Sequence, residues 1–450
     1  MDLQAAKHLL FSNADLKKLI IPLTLEQIFF MLVGIADTLM VSALGEEAIS
    51  GVSLINILEY FMYTVMSAIC SGGGIVISQY IGAKNNALAK QTANQLLSLS
   101  LVIAVILSAL GLCYHKEFLH LLYGNVDSGV MQAADTYFLI AVCSIPCIAI
   151  HQACSAMFRS MNETKIPLYT VILLNITNIV GNYIAVYVLH AGVYGVAMAT
   201  VLARVVGNAL MLFLSLQPKY ILHINLPELL SFNALLTRKI LSISIPNGIE
   251  NGLFAAGKVI MTSIVALFGT TQTAANAVSN SYQISAIFVV NAINMAVLTV
   301  VGQCVGAKEY DQAKYYVRKL LKLSFWSTAA LSVLVIIALP LTLDFYHISA
   351  ETQRLVVILV ILHNVAATIL QPLCFNLPNA IRAAGDVGFT MRAGIGSMLI
   401  FRLGVAYVAG ILLNYQILGV WFAMVADWFV RALLFTYRWK SGVWKNYRIV

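Results

Sequence analysis

The residues best suited to chemistry in this sequence are acids set inside long apolar segments. Residues 21–45 read IPLTLEQIFFMLVGIADTLMVSALG and residues 245–269 read IPNGIENGLFAAGKVIMTSIVALFG. Both open with Ile-Pro, carry a Glu four residues after the Pro (Glu26 and Glu250) and close on Gly. A carboxylate costs about 2.5 kcal/mol or more in hydrocarbon, which cannot solvate it, so an acid retained there points to an ion or substrate pathway. A position near the membrane surface or a structural hydrogen bond is the alternative. Asp37 follows Glu26 by eleven residues. At about 100° per residue the two share one helix face to within roughly 20°, some 16 Å apart along the axis. They can line one pathway at different depths.

In the second segment Pro246, Asn247, Glu250 and Asn251 form a polar cluster. Glu250 and Asn251 offer oxygen donors suited to a hard cation such as Na⁺, although one carboxylate beside amides is also a packing motif. Lys258 lies two turns on and about 80° round the helix from Glu250, a poor position for a direct pair. It acts on that acid from a distance, pairs elsewhere or snorkels to an interface. Further amides recur inside apolar runs: Asn178 and Asn182, Gln283 and Asn294, Gln371 and Asn376. With Asn247 and Asn251 they are expected to line a cleft. Pro372 and Pro378 beside them free backbone carbonyls, which coordinate ions, open a hinge or only kink the helix. Glu59, with Asn56 one turn before it, is another acid within a span. Arg402, Asp427 and Arg431 read as structural pairs or end anchors, and His151 as a hydrogen-bonded packing histidine.

The elements that must position these residues follow from composition. Of 450 residues 60% are hydrophobic and 10% charged, against about 25% charged in a soluble domain. This is an all-α polytopic membrane protein, since apolar runs of about 20 residues without strict alternation form spanning helices. Twelve spans are expected, near 17–43, 52–80, 92–114, 134–158, 167–189, 192–215, 240–268, 276–304, 317–341, 353–383, 389–413 and 416–439. The start, MDLQAAKHLLFSNADLKK, has neither the apolar core nor the small-residue site of a cleavable leader. The net charge of +8 is scattered over short loops and does not suggest a nucleic-acid partner. The seven Cys lack metal-ligand spacing and read as packing thiols. No cofactor is expected.

Loops bearing Lys84, Lys90, Arg159, Lys165, Lys219, Arg238, Lys308 and Arg382 all fall on one side, with both termini (Lys7, Arg448). The opposite loops offer only Lys116 and Arg354. The rich side is therefore expected to be cytoplasmic, in the cell membrane. The chain also repeats itself. Gln79-Tyr-Ile-Gly-Ala-Lys84 returns as Gln303-Cys-Val-Gly-Ala-Lys308, and Gly195-Val196 as Gly419-Val420, each at an offset of 224. Arg159 answers Arg382 at 223. Residues 1–216 and 240–450 are expected to be homologous six-helix lobes joined by a cytoplasmic linker, 217–239. With an even number of spans each, they relate by a pseudo-two-fold axis along the membrane normal, with the substrate site between them near the midplane.

The Pro-x3-Glu opening, the Ala36-Asp37-Thr38 step, the two Q-x-x-G-A-K loops and the run Arg-Ser-Met-Asn-Glu-Thr-Lys-Ile-Pro at 159–167 resemble the multidrug and toxic compound extrusion (MATE) family over nearly the whole chain. The resemblance implies an antiporter, commonly monomeric, that expels organic cations or other amphipathic compounds in exchange for Na⁺ or H⁺, the coupling ion being the only cofactor-like species. It aligns Asp37 with an acid of the first span implicated in cation coupling. Two departures matter. Asn182 and Gln371 stand where some members carry Asp, which leaves Glu26, Asp37 and Glu250 as the candidate coupling acids. The major facilitator pattern G-x3-D-[RK]-x-G-R is missing from the loop GAKNNALAK. A lipid or lipid-linked oligosaccharide flippase on a related scaffold is the alternative, and it predicts a basic interior where an acidic or neutral one is expected apart from Lys258, Arg204 and Arg402. Clustered acids or paired His of a membrane enzyme do not occur.

Overall fold

The apolar runs fold as helices, the one arrangement that satisfies each segment's own backbone in hydrocarbon. The computed structural model describes residues 9–124, 126–229, 231–447 and 449–450. Lys7 and Arg448, counted among the basic terminal residues, lie outside them. The helices run α1 (Asn13–Ser42), α2 (Glu46–Gly82), α3 (Asn86–Cys113), α4 (His115–Tyr123), α5 (Ser128–Val142), α6 (Ile145–Ser160), α7 (Lys165–Tyr183) and α8 (Gly192–Ser215). A short α9 (Leu226–Leu229) leads to α10 (Ala234–Ala266), α11 (Thr270–Gly306), α12 (Tyr310–Thr342), α13 (Ala350–Gln371), α14 (Leu377–Ala383), α15 (Val387–Ser397) and α16 (Gln416–Ser441). Among the described residues eleven spans are long and apolar enough to cross a membrane, and twelve with α5 and α6 taken as one broken span.

That fourth span bends by 48° at Cys143–Ser144. Pro146 supplies no N–H there, and Ser144 Oγ donates to the Ala141 carbonyl at 2.7 Å. The tenth span breaks differently, through a π-helical turn at Pro372–Asn376 between α13 and α14.

The repeat is reproduced in detail. Where α2 ends, Ala83 N bonds Gln79 O, Lys84 N bonds Ile81 O and Asn85 N bonds Tyr80 O; where α11 ends, Ala307, Lys308 and Glu309 repeat those bonds to Gln303, Val305 and Cys304. Lys84 (φ 57°) and Lys308 (φ 61°) both take the left-handed turn. Both α7 and α15 continue into widened i→i+5 turns, closed by Leu189 N on Ile184 O and by Leu413 N on Val408 O. Gly195 and Gly419 face these turns. A Cβ at Gly195 would meet Ala185 Cβ at 2.9 Å, and one at Gly419 would meet the Ala409 carbonyl carbon at 2.6 Å. The Gly-Val repeat thus marks a close helix approach.

The chain divides into two compact units, a first lobe of Asn13–Ile245 and a second of Pro246–Val450 with residues 9–12. In the first, α7 packs on α1 and α8, and α2 on α3, α5 and α6. In the second, α11 packs on α12, α13 and α14, and α16 closes on the 406–412 turn. Leu10 and Phe11 belong to the second lobe. Leu10 N donates to Gln312 Oε1 at 2.9 Å, Phe11 N to Tyr316 Oη at 2.8 Å, and Tyr316 Oη back to Phe11 O at 2.7 Å. The segment after α8 is docked on the first lobe. Asn225 N donates to Asn94 Oδ1, Asn94 Nδ2 to Glu228 Oε2, and Asn233 N to Gln95 Oε1, each at 2.9 Å.

Candidate functional site

In the first lobe α1 and α7 bring Asp37, Asn178 and Asn182 together. Asn182 Nδ2 donates to Asp37 Oδ1 at 2.6 Å and lies 3.3 Å from Asn178 Oδ1. Asn178 Nδ2 donates in turn to Thr200 Oγ1 of α8 at 3.3 Å. Three of the expected residues therefore form one continuous polar group, with Thr200 an addition that spacing did not suggest. Asn182 Oδ1 is buried and has no hydrogen-bond partner. One turn of α7 earlier, Asn175 Nδ2 donates to Phe29 O of α1 at 2.8 Å, which fixes the two helices against each other. Close by is a bidentate pair: Arg204 donates to Glu59 through Nη1 at 2.9 Å and Nη2 at 2.7 Å, and also reaches Ser144 Oγ at the helix break. This pair is within electrostatic reach of Asp37.

Glu26 and Glu250 stand in a different environment. Glu26, 2% exposed, lies 3.4 Å from Arg159 Nη1 of α6. Its repeat counterpart Glu250, also 2% exposed, receives Arg382 Nη2 at 2.6 Å and Arg431 Nη2 at 3.2 Å. Arg382 is anchored further by Asn379 Oδ1 at 3.0 Å and Thr390 Oγ1 at 3.3 Å. A Cβ at Gly394 would come within 2.6 Å of Glu250 Oε1, so only glycine leaves the acid its place. The signal for these partners was in the sequence: Arg159 and Arg382 repeat at 223 as the acids repeat at 224.

Asn251, also expected to ligate Na⁺, is half-buried beside Glu250 on α10, as is Asn247. Among the described residues no group of three or more His, Cys, Asp or Glu is placed to hold a metal ion. Gln283 Nε2 donates to Asn280 Oδ1 on its own helix at 3.0 Å. Asn294 accepts from Asn376 Nδ2 at 2.7 Å, and Asn376 Oδ1 accepts from Ser324 Oγ at 2.6 Å. This chain ties α11, the 372–376 turn and α12 together. Gln371 is buried with its Oε1 unpartnered. Arg402 and Asp427 meet at 3.6 Å, with Ser397 Oγ donating to Asp427 Oδ1 at 2.6 Å. His151 is buried with both ring nitrogens unpartnered, so the hydrogen bond expected of it is missing. The first lobe also contains a cavity of about 250 Å³ between α2, α3, α4, α5 and α6, walled by apolar side chains such as Ile55, Leu107, Phe118 and Phe138 with Glu59 among them.

Comparison with known proteins places this arrangement. The MatE family model matches twice, over residues 22–184 and 246–408, once per repeat. The transporter YisQ of Bacillus subtilis is 28% identical over 94% of this chain and 93% of its own length. A probable multidrug resistance protein NorM of Thermotoga maritima is 26% identical over 96% and 93%. A solved structure described as the outward-facing conformation of a multidrug resistance MATE transporter superposes with a TM-score of 0.88 over 96% of each chain, at 19% identity, and so shares the fold. With two matched repeats and eleven or twelve spans, the chain belongs to the MatE family of multidrug and toxic compound extrusion transporters.

Proposed function

We propose that this transporter is a secondary active antiporter that exports organic cations or other amphipathic compounds in exchange for Na⁺ or H⁺. It sits in the cytoplasmic membrane as a monomer, with both termini cytoplasmic, as the distribution of Lys and Arg favours. One observation carries the assignment of coupling. Among the described acids within the expected spans, Glu26, Glu59, Glu250 and Asp427 are each ion-paired to arginine and Asp135 lies 3.6 Å from His115, whereas Asp37 makes no ion pair. A carboxylate without a fixed counterion is the one that gains most from binding a cation. We therefore assign coupling to Asp37 and give Glu26 and Glu250, the other acids considered for it, the role of holding helices through their arginines.

The chemistry follows from the amide beside Asp37. With the acid charged, Asn182 donates its N–H and binds α1 to α7. A proton on Asp37, or a Na⁺ beside it, competes for that carboxylate. Rotation of the amide turns Asn182 Oδ1 toward the cation, and Asn178 and Thr200 supply further oxygens. The α1–α7 contact thus has two states selected by the ion, and the membrane potential contributes about 2.3 kcal/mol per charge per 100 mV.

The test is ethidium export from vesicles with a Na⁺ gradient and a pH gradient imposed separately. One gradient is expected to drive export, and Asp37→Asn to lower the driven rate at least tenfold. Wild-type export by Asp37→Asn, with unchanged ion dependence, overturns the assignment.

A further inference from the structure

The two lobes, alike in backbone, differ in the sign of their interior charge. Counting its span acids and the arginines that meet them, the first lobe sets Glu26, Asp37, Glu59 and Asp135 against Arg159 and Arg204, two net negative charges. The second sets Glu250 and Asp427 against Lys258, Arg382, Arg402 and Arg431, two net positive charges. The repeat offset of 224 shows where the change was made. Asp37 corresponds to Met261, Asn178 to Arg402, Asn182 to Ala406 and Gly34 to Lys258. At the place where the first lobe has its acid and amides, the second has a guanidinium and, one turn before Met261, an ammonium.

The geometry brings these cations to one wall. Phe254 lies between Glu250 and Lys258, one turn from each on α10. Arg431 lies over its ring at 4.4 Å and Arg402 at 5.8 Å. Arg402 sits on the π-helical turn Met398–Gly404, which approaches α10 closely because Gly257 has no side chain; a Cβ there would meet Met398 Sδ at 2.7 Å. Arg431 is 3% exposed, and its Nε and Nη1 have no acceptor, nor has Arg402 Nε. Aromatic rings over a guanidinium meet its faces and leave the in-plane N–H groups unmatched. Asp427 neutralises Arg402 only at 3.6 Å, and Arg431 shares Glu250 with Arg382. Buried donors without acceptors and uncompensated cations are both expensive in a membrane interior. Lys258 is exposed and gives this wall an approach from outside the helix pack.

We propose that the wall formed by Phe254, Lys258, Arg402 and Arg431 binds the carboxylate of an amphipathic organic compound, with the Phe254 ring against its apolar body. Guanidinium donors suit a planar carboxylate. The proposal rests on the reading of the chain as an exporter and extends its substrates from cations to acids and zwitterions. The first lobe then serves the coupling cation and the second the anionic group of the substrate.

Two dyes of one ring system separate the possibilities: fluorescein, which carries a carboxylate, and rhodamine 6G, a cationic ester. Binding is measured by fluorescence polarisation on the full chain in phosphatidylcholine nanodiscs, with no ion gradient, so a failure of coupling at Asp37 leaves the result intact. Wild-type protein is expected to bind fluorescein, and Lys258→Gln and Arg402→Gln each to weaken it at least tenfold with rhodamine 6G binding unchanged. Lys258→Arg, which keeps the charge, should restore most of the affinity. No binding of fluorescein, or equal binding by the variants, overturns the proposal. Displacement of fluorescein by phosphatidylglycerol in the nanodisc overturns it in favour of a lipid headgroup.

Discussion

Glu26 and Glu250 show how an acid in a membrane interior can be structural. Each is held by the arginine that follows the fourth span of its repeat, Arg159 or Arg382, and Glu250 takes a second guanidinium from Arg431. Removing one partner of a buried pair costs about 3–5 kcal/mol, because the remaining charge is stranded. Glu250→Gln leaves two arginines facing an amide. It is expected to lower the thermal unfolding midpoint clearly and to leave the coupling ion of the surviving protein unchanged. A switch in ion dependence at normal stability would return the coupling role to Glu250. The sequence displayed these acids, their spacing and the repeated arginines. It could not display which acid an arginine reaches 132 or 133 residues away, because that depends on side-chain direction and on the space that Gly394 leaves. The same holds for Asp37: the Asp-Thr step drew attention to it, but only packing reveals that it alone among the described acids of the expected spans makes no ion pair. Lys258 and Arg402 stood out as exceptions to an acidic or neutral interior, but that they share a wall with Arg431 was hidden likewise. Lys258, Arg402 and Arg431 lie on three helices and converge only in the fold.

At the scale of elements, span number, the repeat and the helix ends were legible because hydropathy and turn chemistry act locally. The 48° break between α5 and α6 was not anticipated, since Pro146 is compatible with a mild kink and the Ser144–Arg204 contact that accompanies the break is tertiary. The stretch 217–239 reads as a linker because it is polar. Among its described residues, polar groups meet α3: Asn94 accepts from Asn225 N and donates to Glu228, and Ser98 Oγ donates to Leu229 O at 2.6 Å. Local opening of such a segment sets its susceptibility to protease. Asn94→Ala removes two bonds worth about 1 kcal/mol each, so tryptic cleavage at Lys219 should quicken roughly thirtyfold. Cleavage at the wild-type rate would mean that the segment is held by its apolar residues Leu222 and Ile224, both buried.

Over the whole molecule, the proposed orientation rests on charge: it puts the loops rich in Lys and Arg on the cytoplasmic side and those bearing only Lys116 and Arg354 on the other. Cys113 ends α3 on the poor side and is exposed, whereas Cys304 near the end of α11 is buried. A membrane-impermeant maleimide added to intact cells should label wild-type protein and not Cys113→Ser; labelling only after the cells are opened would reverse the proposed topology. The N-terminal residues carry a consequence in time. Phe11 is made early but is seated by Tyr316, 305 residues later. At about 5–20 residues per second, its partner follows by roughly 15–60 s. Throughout that interval Leu10 and Phe11 have no berth, and residues synthesised early become among the last to settle. Their docking against α12 is thus a mark of completion, open only to a chain whose second half has already been built.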